Sequence, residues 1–375
     1  MSIQLSIGTA VYNVGEPFLR AHIEGVIRQL TDETEMLLID DCSTDNSGDV
    51  CREYAEADSR VRYIRMDHNS WLSSVRNRTI AEARGKWIFF ADGDDLLSDN
   101  FTEAFLRFCH EHSDADYDII IHDRLKFTEQ KEPEQPCTLT DVTELPSDAG
   151  RKLSISCLCL DPTLSQPLGL SSRAFYHAAW GAIYRKEFLV KNELLFPVKQ
   201  KKAQDSVFNT EAYYCAQKIA YFPYVMYYYR SNDQGITRRY SADYPQMAQS
   251  LIDHLLVCSE KYYPNDADVE MRFQNHRLLS LVMDNMRLNL FHKDNPKSRE
   301  ERKQEFLTFV ETEPYKAAIA GFDPKASGRW EWSLPIRLAQ KKKFSALDRF
   351  IGNTKAYGIL CGAYKRLQML LNGVK

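Results

Sequence analysis

The chain reads as an α/β protein: a mostly parallel, Rossmann-like central sheet with flanking helices, followed by a helical C-terminal region. Three observations predict this. Over the first 125 residues, short apolar runs alternate with segments of helical period, the pattern of parallel strands joined by crossover helices. Several of those runs stop abruptly in aspartates, as in KWIFFADGDDLL at 86–97, and ligands of open α/β sheets bind beyond the carboxyl ends of the strands. Beyond about residue 240 the pattern is helical throughout.

IQLSIGTAVY opens as a strand, and EPFLRAHIEGVIRQL follows with Phe18, Leu19, Ile23, Val26, Ile27 and Leu30 at helical spacing. EMLLID is the second strand, and the turn residues of Ser43 to Ser47 start the next helix. RVRYIRM, KWIFFAD and YDIIIHD are further strands, separated by the helices SSVRNRTIAEA and NFTEAFLRFCHEH. Residues 126–172, rich in Glu, Pro, Ser and Thr, read as a long insertion or mobile loop near the site. Order returns over 176–230 with Trp180, a helix around Ser206 to Ala216 and the aromatic strand YFPYVMYYYR. LIDHLLVCSEKYY and HRLLSLVMDNMRLNLF are helical. The expected division is 1–240, with halves 1–125 and 126–240, and a C-terminal extension 241–375.

With 375 residues, 44% hydrophobic and 27% charged, the chain has an ordinary globular core. No run approaches 18 consecutive apolar residues, so no membrane span is expected. The start lacks a basic segment followed by an apolar one, so a cytoplasmic location is expected. The nine cysteines show no zinc-site spacing and read as buried free thiols. The net charge of −4 is uneven: residues 337–375 hold nine Lys/Arg and one acid, a local +8, which leaves −12 for the rest.

Asp92, Asp94 and Asp95 at the end of an apolar strand need a physical reason. Two carboxylates about 4 Å apart repel by roughly 4 kcal/mol at an effective dielectric of 20. A capped turn is the structural explanation. A divalent cation is the functional one, because hard cations take oxygen ligands, often one or two carboxylates completed by phosphate oxygens. Gly93 permits a tight turn that aims both flanking carboxylates at one ligand. Asp40-Asp41, after EMLLI, is a second acidic pair at a strand end. Such a carboxylate accepts hydrogen bonds from a ribose or base. Arg76 is either a solvated helix residue or a counter-charge for a nucleotide.

TAVYN, IDDCSTDNS, the SSVRN block and FFADGDD occur in an order that resembles family 2 inverting glycosyltransferases of the GT-A fold. WGAIYRKEFL, QDSVFNTEAYY and YYYRSNDQGIT resemble that family's acceptor-side half, so the resemblance covers roughly residues 3–240. Thr9-Ala10 stands where the family often has a proline, Cys42 and Trp71 at or near glycine places, and Gln204 where glutamate commonly precedes the aspartate.

The resemblance implies that Tyr12 lies beside the nucleoside base, Asp41 accepts from base or ribose, and Arg76 holds the nucleotide. It implies that Asp92 contacts ribose or metal, Asp94 ligates Mn²⁺ or Mg²⁺, and Asp205 is the general base. The implied donor is a nucleotide-sugar, with UDP expected, and the implied acceptor a hydroxyl of a glycan or lipid-linked glycan in bacterial cell-surface polysaccharide synthesis. Read without the resemblance, Asp205 is a first-turn acid favoured by the helix dipole. His68, His122 and His177 are open as a third metal ligand.

Around Leu347, Ile351, Tyr357, Leu360, Tyr364, Leu367 and Leu371, the basic tail has helical spacing. It fits a final packing helix or an interfacial helix on an anionic membrane, at the cytoplasmic face of the inner membrane. No nucleic-acid motif accompanies it. Two rival functions are a non-catalytic glycan- or nucleotide-binding scaffold and a sugar-nucleotide nucleotidylyltransferase. TAVYNVGEP offers the latter no basic, glycine-rich triphosphate loop.

Overall fold

A computed structural model describes residues 2–112, 115–128, 142–231 and 239–352, with 358–359, 362–363 and 366–367. The chain divides into two compact units, 1–157 with 162–232 and 158–161 with 233–375.

The first unit is built on a nine-stranded sheet. Its strands are β1 (Leu5–Val11), β2 (Thr34–Asp40), β3 (Val61–Arg65), β4 (Trp87–Asp92), β5 (Leu96–Leu97), β6 (Ile119–Phe127), β7 (Thr143–Glu144), β8 (Ala182–Arg185) and β9 (Ile219–Arg230). They run in the order β3-β2-β1-β4-β8-β6-β9-β5, with β7 beside β9. The four strands β3-β2-β1-β4 are parallel, as the alternation predicts. Beyond them the sheet is mixed: β8 is antiparallel to β4 and β6, while β6 and β9 are parallel. Antiparallel β8 comes from the later part of the chain, where strand-helix alternation gives no guide.

The helices are α1 (Glu16–Ile27), α2 (Ser47–Ala57), α3 (Trp71–Glu82), α4 (Phe101–Glu111), α5 (Ala149–Cys159), α6 (Lys186–Lys191) and α7 (Gln204–Cys215). β4 shows why both faces need cover. Phe89 packs on Phe101 at 4.9 Å between ring centres, and Phe90 packs on Phe196 at 5.3 Å. Successive strand residues point to opposite faces, so an unbroken apolar strand feeds two cores. α3 lies directly on β1: a β-carbon at Gly8 would run into the Thr79 side chain.

The expectation of a loop over 126–172 is corrected in part. Residues 129–141 lie outside the described set, but β7, α5 and a 3-10 helix (Pro162–Leu168) occupy much of the remainder. α5 escaped the periodicity reading because its serines are buried with its apolar residues. Ser154 Oγ donates to Thr210 O (2.6 Å), and Ser156 Oγ lies 2.7 Å from Tyr176 Oη. Satisfied in this way, a buried hydroxyl is tolerated.

In the second unit, α8 (Tyr244–Tyr262) precedes a helical run from Ala267 to Leu290 and helices Arg299–Phe309, Tyr315–Ala320, Ser333–Gln340 and Phe344–Ile351. Phe344, Leu347, Phe350 and Ile351 are buried. Phe344 packs against Phe291 (5.5 Å) and Phe306 (6.0 Å), so this part of the basic tail is a packing helix. Of the tail's other apolar positions, Tyr357, Leu360, Tyr364 and Leu371 lie outside the described residues, and Leu367 is exposed. No described helix is long and apolar enough to cross a membrane.

Candidate functional site

The parallel ladders bring the strand ends level. Val11 pairs with Asp40 and Ala10 with Asp92, so the two acidic groups emerge at one edge with Tyr12 just beyond β1. Tyr12 is 48% exposed there.

Asp41 is committed to the backbone. Its two oxygens accept from Ser70 N (2.7 Å) and Trp71 N (2.8 Å) at the start of α3. Burial raises its carboxyl above the usual range, opposed by those two amides. Cys42 and Trp71, the two residues at or near glycine places, have φ of 64° and 68°. L-residues adopt that left-handed region at a cost of roughly 1–2 kcal/mol, held here by the surrounding bonds. Thr9, of the Thr9-Ala10 pair that stands where the family often has a proline, uses its hydroxyl: Oγ1 lies 2.9 Å from His22 Nε2.

The turn after β4 is tightly held. Gly93 N donates to Ala10 O (3.1 Å), and a β-carbon at Gly93 would sit 3.1 Å from that oxygen, so a side chain would crowd β1. Asp95 faces inward. Its carboxylate accepts from Tyr227 Oη (2.6 Å) and Arg230 N (2.7 Å), and its carbonyl from His22 Nδ1 (2.8 Å). Burial and the charges of Asp92 and Asp94 push its carboxyl well up, while Tyr227 and Arg230 hold it down. Tyr227 Oη also accepts from Asp92 N (3.1 Å). Burial pulls His22 down to about 4, so it is neutral at pH 7.

Asp94, and the Asp92 oxygen that Arg76 does not take, remain for a ligand. Asp94 is exposed at the surface; partial desolvation within the crowded turn and the Asp92 charge raise its pKa, and Arg230 opposes the rise. No other side chain hydrogen-bonds the Asp94 carboxylate among the described residues, although Arg230 Nε takes its main-chain oxygen (2.6 Å). Two hard oxygen donors of this kind suit a divalent cation completed by phosphate oxygens. Among the described residues, no group of three or more His, Cys, Asp or Glu side chains gathers at metal-binding distance. His68 is exposed, His122 is buried against Phe89 at 5.6 Å, and His177 lies 3.4 Å from Ser156 Oγ.

Arg76 and Asp205 form the centre. Arg76, on α3, has only 3% of its side chain exposed. One guanidinium nitrogen pairs with Asp205 Oδ1 and another with Asp92 Oδ1 (3.2 Å), and the Phe196 ring packs beneath at 5.3 Å. Asp205 stands in the first turn of α7, after Ala203 at φ 57°. Its second oxygen accepts from Ala179 N (3.2 Å). Burial raises the Asp205 carboxyl, the Arg76 charge opposes, and Asp92 adds to the rise. Gln204 Oε1 is buried without a partner next to it in sequence.

The structure therefore brings together Asp92, Arg76 and Asp205 by direct contact, and Asp94 by the turn. It leaves Tyr12 exposed and Asp41 on the helix it caps. Sequence reading missed Tyr227, Arg230 and the Ala179 amide. The signal for the first two was the tyrosine-arginine end of YFPYVMYYYR, which a strand reading treats as packing.

Residues 6–165 match the protein family described as Glycosyl transferase family 2. The chain is similar to the uncharacterized glycosyltransferase EpsJ of Bacillus subtilis (strain 168), 31% identical over 234 residues, 62% of each chain. It is also similar to the succinoglycan biosynthesis protein ExoO of Rhizobium meliloti (strain 1021), 27% identical over 258 residues, 68% of this chain and 66% of that one. The chain thus spans slightly under two thirds of the length of these curated relatives. The solved structure of S. aureus TarS 1-349 in complex with UDP-GlcNAc superposes with a TM-score of 0.60, covering 95% of this chain and 92% of that one at 18% identity, which shows a shared GT-A fold. Family match and fold meet on the same strand ends: residues 6–165, which match Glycosyl transferase family 2, carry β1 to β4 and the turn of Asp92 to Asp95.

Proposed function

We propose that the chain is an inverting glycosyltransferase that moves a sugar from a nucleotide-sugar, a UDP-sugar first, to a hydroxyl of a glycan or lipid-linked acceptor in bacterial cell-surface polysaccharide synthesis. One observation carries this reading: a single buried guanidinium, Arg76, holds both the donor-side carboxylate Asp92 and the candidate base Asp205. Support for the donor and product comes from the UDP-GlcNAc bound to TarS and from the polysaccharide role in the name of ExoO.

In this mechanism Asp205 takes the proton of the acceptor hydroxyl as that oxygen attacks the anomeric carbon, and the nucleoside diphosphate leaves from the opposite face. One displacement inverts the configuration. A base of this kind contributes about 10²- to 10⁴-fold. Fixed donors from Arg76 and Ala179 aim the carboxylate. Its raised pKa makes it a better proton acceptor while Arg76 keeps the charged form accessible. Asp92 and Asp94 are the residues that would hold Mn²⁺ or Mg²⁺. Such an ion, when bound, offsets the charge that develops on the leaving diphosphate. Tyr12 and Asp41 stand where a nucleoside would lie, with Asp41 also ordering α3. An anionic membrane surface is a proposed partner of the residues beyond 352, with the protein at the cytoplasmic face.

A thermal-shift screen of nucleotide-sugars with Mn²⁺ tests the reading, because a ligand of the native state raises its stability. A UDP-sugar is expected to give the shift, and Asp94→Asn to abolish its Mn²⁺ dependence. NMR of the product then reads the anomeric configuration. The absence of both a shift and donor hydrolysis across the screen would leave a scaffold of the same fold.

A further inference from the structure

Arg124 has no counter-ion among the described residues. It stands on β6 where the pairing with β9 slips twice, between His122 and Asp123 and between Asp123 and Arg124. Bulges of this kind re-aim a side chain and occur beside active sites. The neighbouring Asp123 is committed elsewhere, accepting from Ser171 Oγ (2.7 Å) and Tyr221 Oη (2.8 Å). Arg124 Nε is buried without an acceptor. Its guanidinium instead lies over aromatic rings: Phe175 at 4.4 Å, Trp180 at 5.7 Å and Tyr229 at 6.0 Å. Ring faces attract a cation, but they leave its N–H donors unmet. Burial pulls its pKa down, opposed by Tyr229 and by the charge of Asp95.

The surroundings say which ligand would meet those donors. Trp180 stacks on Tyr227 (4.8 Å, 14° between planes) and on Tyr229 (5.5 Å, 23°), and Phe175 stacks on Trp180 (5.4 Å, 18°). This shelf starts at the reacting centre. Ala179, next to Trp180, donates to Asp205, and Tyr227 donates to Asp95. It ends at Phe175, which is 38% exposed. Trp180 and Tyr227 are themselves buried, so Phe175 offers the open ring face, and an apolar face with a few convergent polar groups suits a bound sugar ring. The cation stands on this shelf, which touches the base through Ala179 and the turn after β4 through Tyr227, and opens to solvent at its Phe175 end.

We infer that Arg124 is a specificity-determining residue that binds an anionic group, a carboxylate or a phosphate, carried by the acceptor glycan. The inference rests on the glycosyltransferase reading of the same site. A planar guanidinium matches either anion in a bidentate manner.

The test uses the full chain with Mn²⁺, with and without UDP. Binding of methyl β-glucuronide is compared with methyl β-glucoside, and glycerol 3-phosphate with glycerol, by calorimetry or NMR titration. At least one anionic probe is expected to bind about tenfold or more tightly than its neutral counterpart, the scale of a charge-assisted hydrogen bond. The glucuronide arm reads a uronate acceptor and the phosphate arm a phosphorylated one. Arg124→Gln should erase the difference, and Arg124→Lys should restore part of it. The affinity of Mn²⁺-UDP for Arg124→Gln should stay near wild type, which also shows that the variant folds. Equal binding of charged and neutral probes by the wild type, or discrimination that survives in Arg124→Gln, would overturn the inference. A drop in UDP affinity would also overturn it, by moving Arg124 to the donor. Failure of the wild type to bind UDP at all would instead sink the glycosyltransferase reading, and the probes without nucleotide would still report on Arg124.

Discussion

Arg76 and Asp205, 129 residues apart in sequence, meet as an ion pair whose guanidinium is buried. The pair ties α3 to the first turn of α7 and so joins the two halves of the first unit at the reacting centre. Asp205→Asn keeps the size and the acceptor oxygen but cannot take a proton. Turnover should fall about 10²- to 10⁴-fold, with Mn²⁺-UDP affinity near wild type by calorimetry. Burial raises the Asp205 carboxyl, so the wild-type kcat should drop as pH falls through a value above the ordinary aspartate range. A limb at or below that range would detach the base role from Asp205.

Arg76→Gln should destabilise the fold. It removes the cation shared by Asp92 and Asp205, and breaking a buried pair costs about 3–5 kcal/mol. Urea unfolding reads the loss directly. A change within about 0.5 kcal/mol, the scale of a surface substitution, would mean that solvent already carries these carboxylates.

Tyr227→Phe deletes one hydroxyl that serves two strand ends. Asp95 Oδ2 loses its donor and Asp92 N its acceptor. Leaving such groups unpaired costs about 1–3 kcal/mol. Because the turn then loosens around Asp94, Mn²⁺-dependent UDP binding should weaken together with stability. A loss of stability with unchanged UDP binding would separate the tyrosine from the turn's function.

Two truncations dissect the basic tail. Ending the chain at Gly352 keeps Phe344, Leu347, Phe350 and Ile351, which are buried, and so keeps the packing of this helix. Ending it at Gln340 removes Phe344 from Phe291 and Phe306, and loss of a buried Phe alone costs about 3–5 kcal/mol. Co-sedimentation with anionic vesicles checks the membrane role of residues 353–375. It should disappear in the first truncation, and persistence there would assign binding to another surface.

What could be read from the chain followed where local pattern and tertiary role agree. β1, β2 and β4 are apolar because both sheet faces are covered, so their ends, and the aspartates on them, were visible. The later strands were harder to place. β8 runs antiparallel because it returns beside β4 from residue 182, a long-range choice that no window of residues contains. α5 was hidden by Ser154 and Ser156, which are polar in composition but paired in the core. Asp94, Asp205 and Arg76 could be named from motif order, but not that the Arg76 guanidinium joins Asp92 to Asp205. That link exists only once α7 is folded against α3.

Gly8 lies in the middle of β1, far from any carboxylate in the argument above. Because its backbone meets Thr79 with no room for a β-carbon, β1 and α3 behave as one laminated plate at this position. Arg76 lies one helical turn before Thr79 on that plate. A methyl group at position 8 would act as a shim, lifting α3 and withdrawing the guanidinium from Asp92 and Asp205 in the same movement. The chain's chemistry is thus hostage to a residue that touches no substrate, at a strand position where bulkier side chains are ordinarily the better choice.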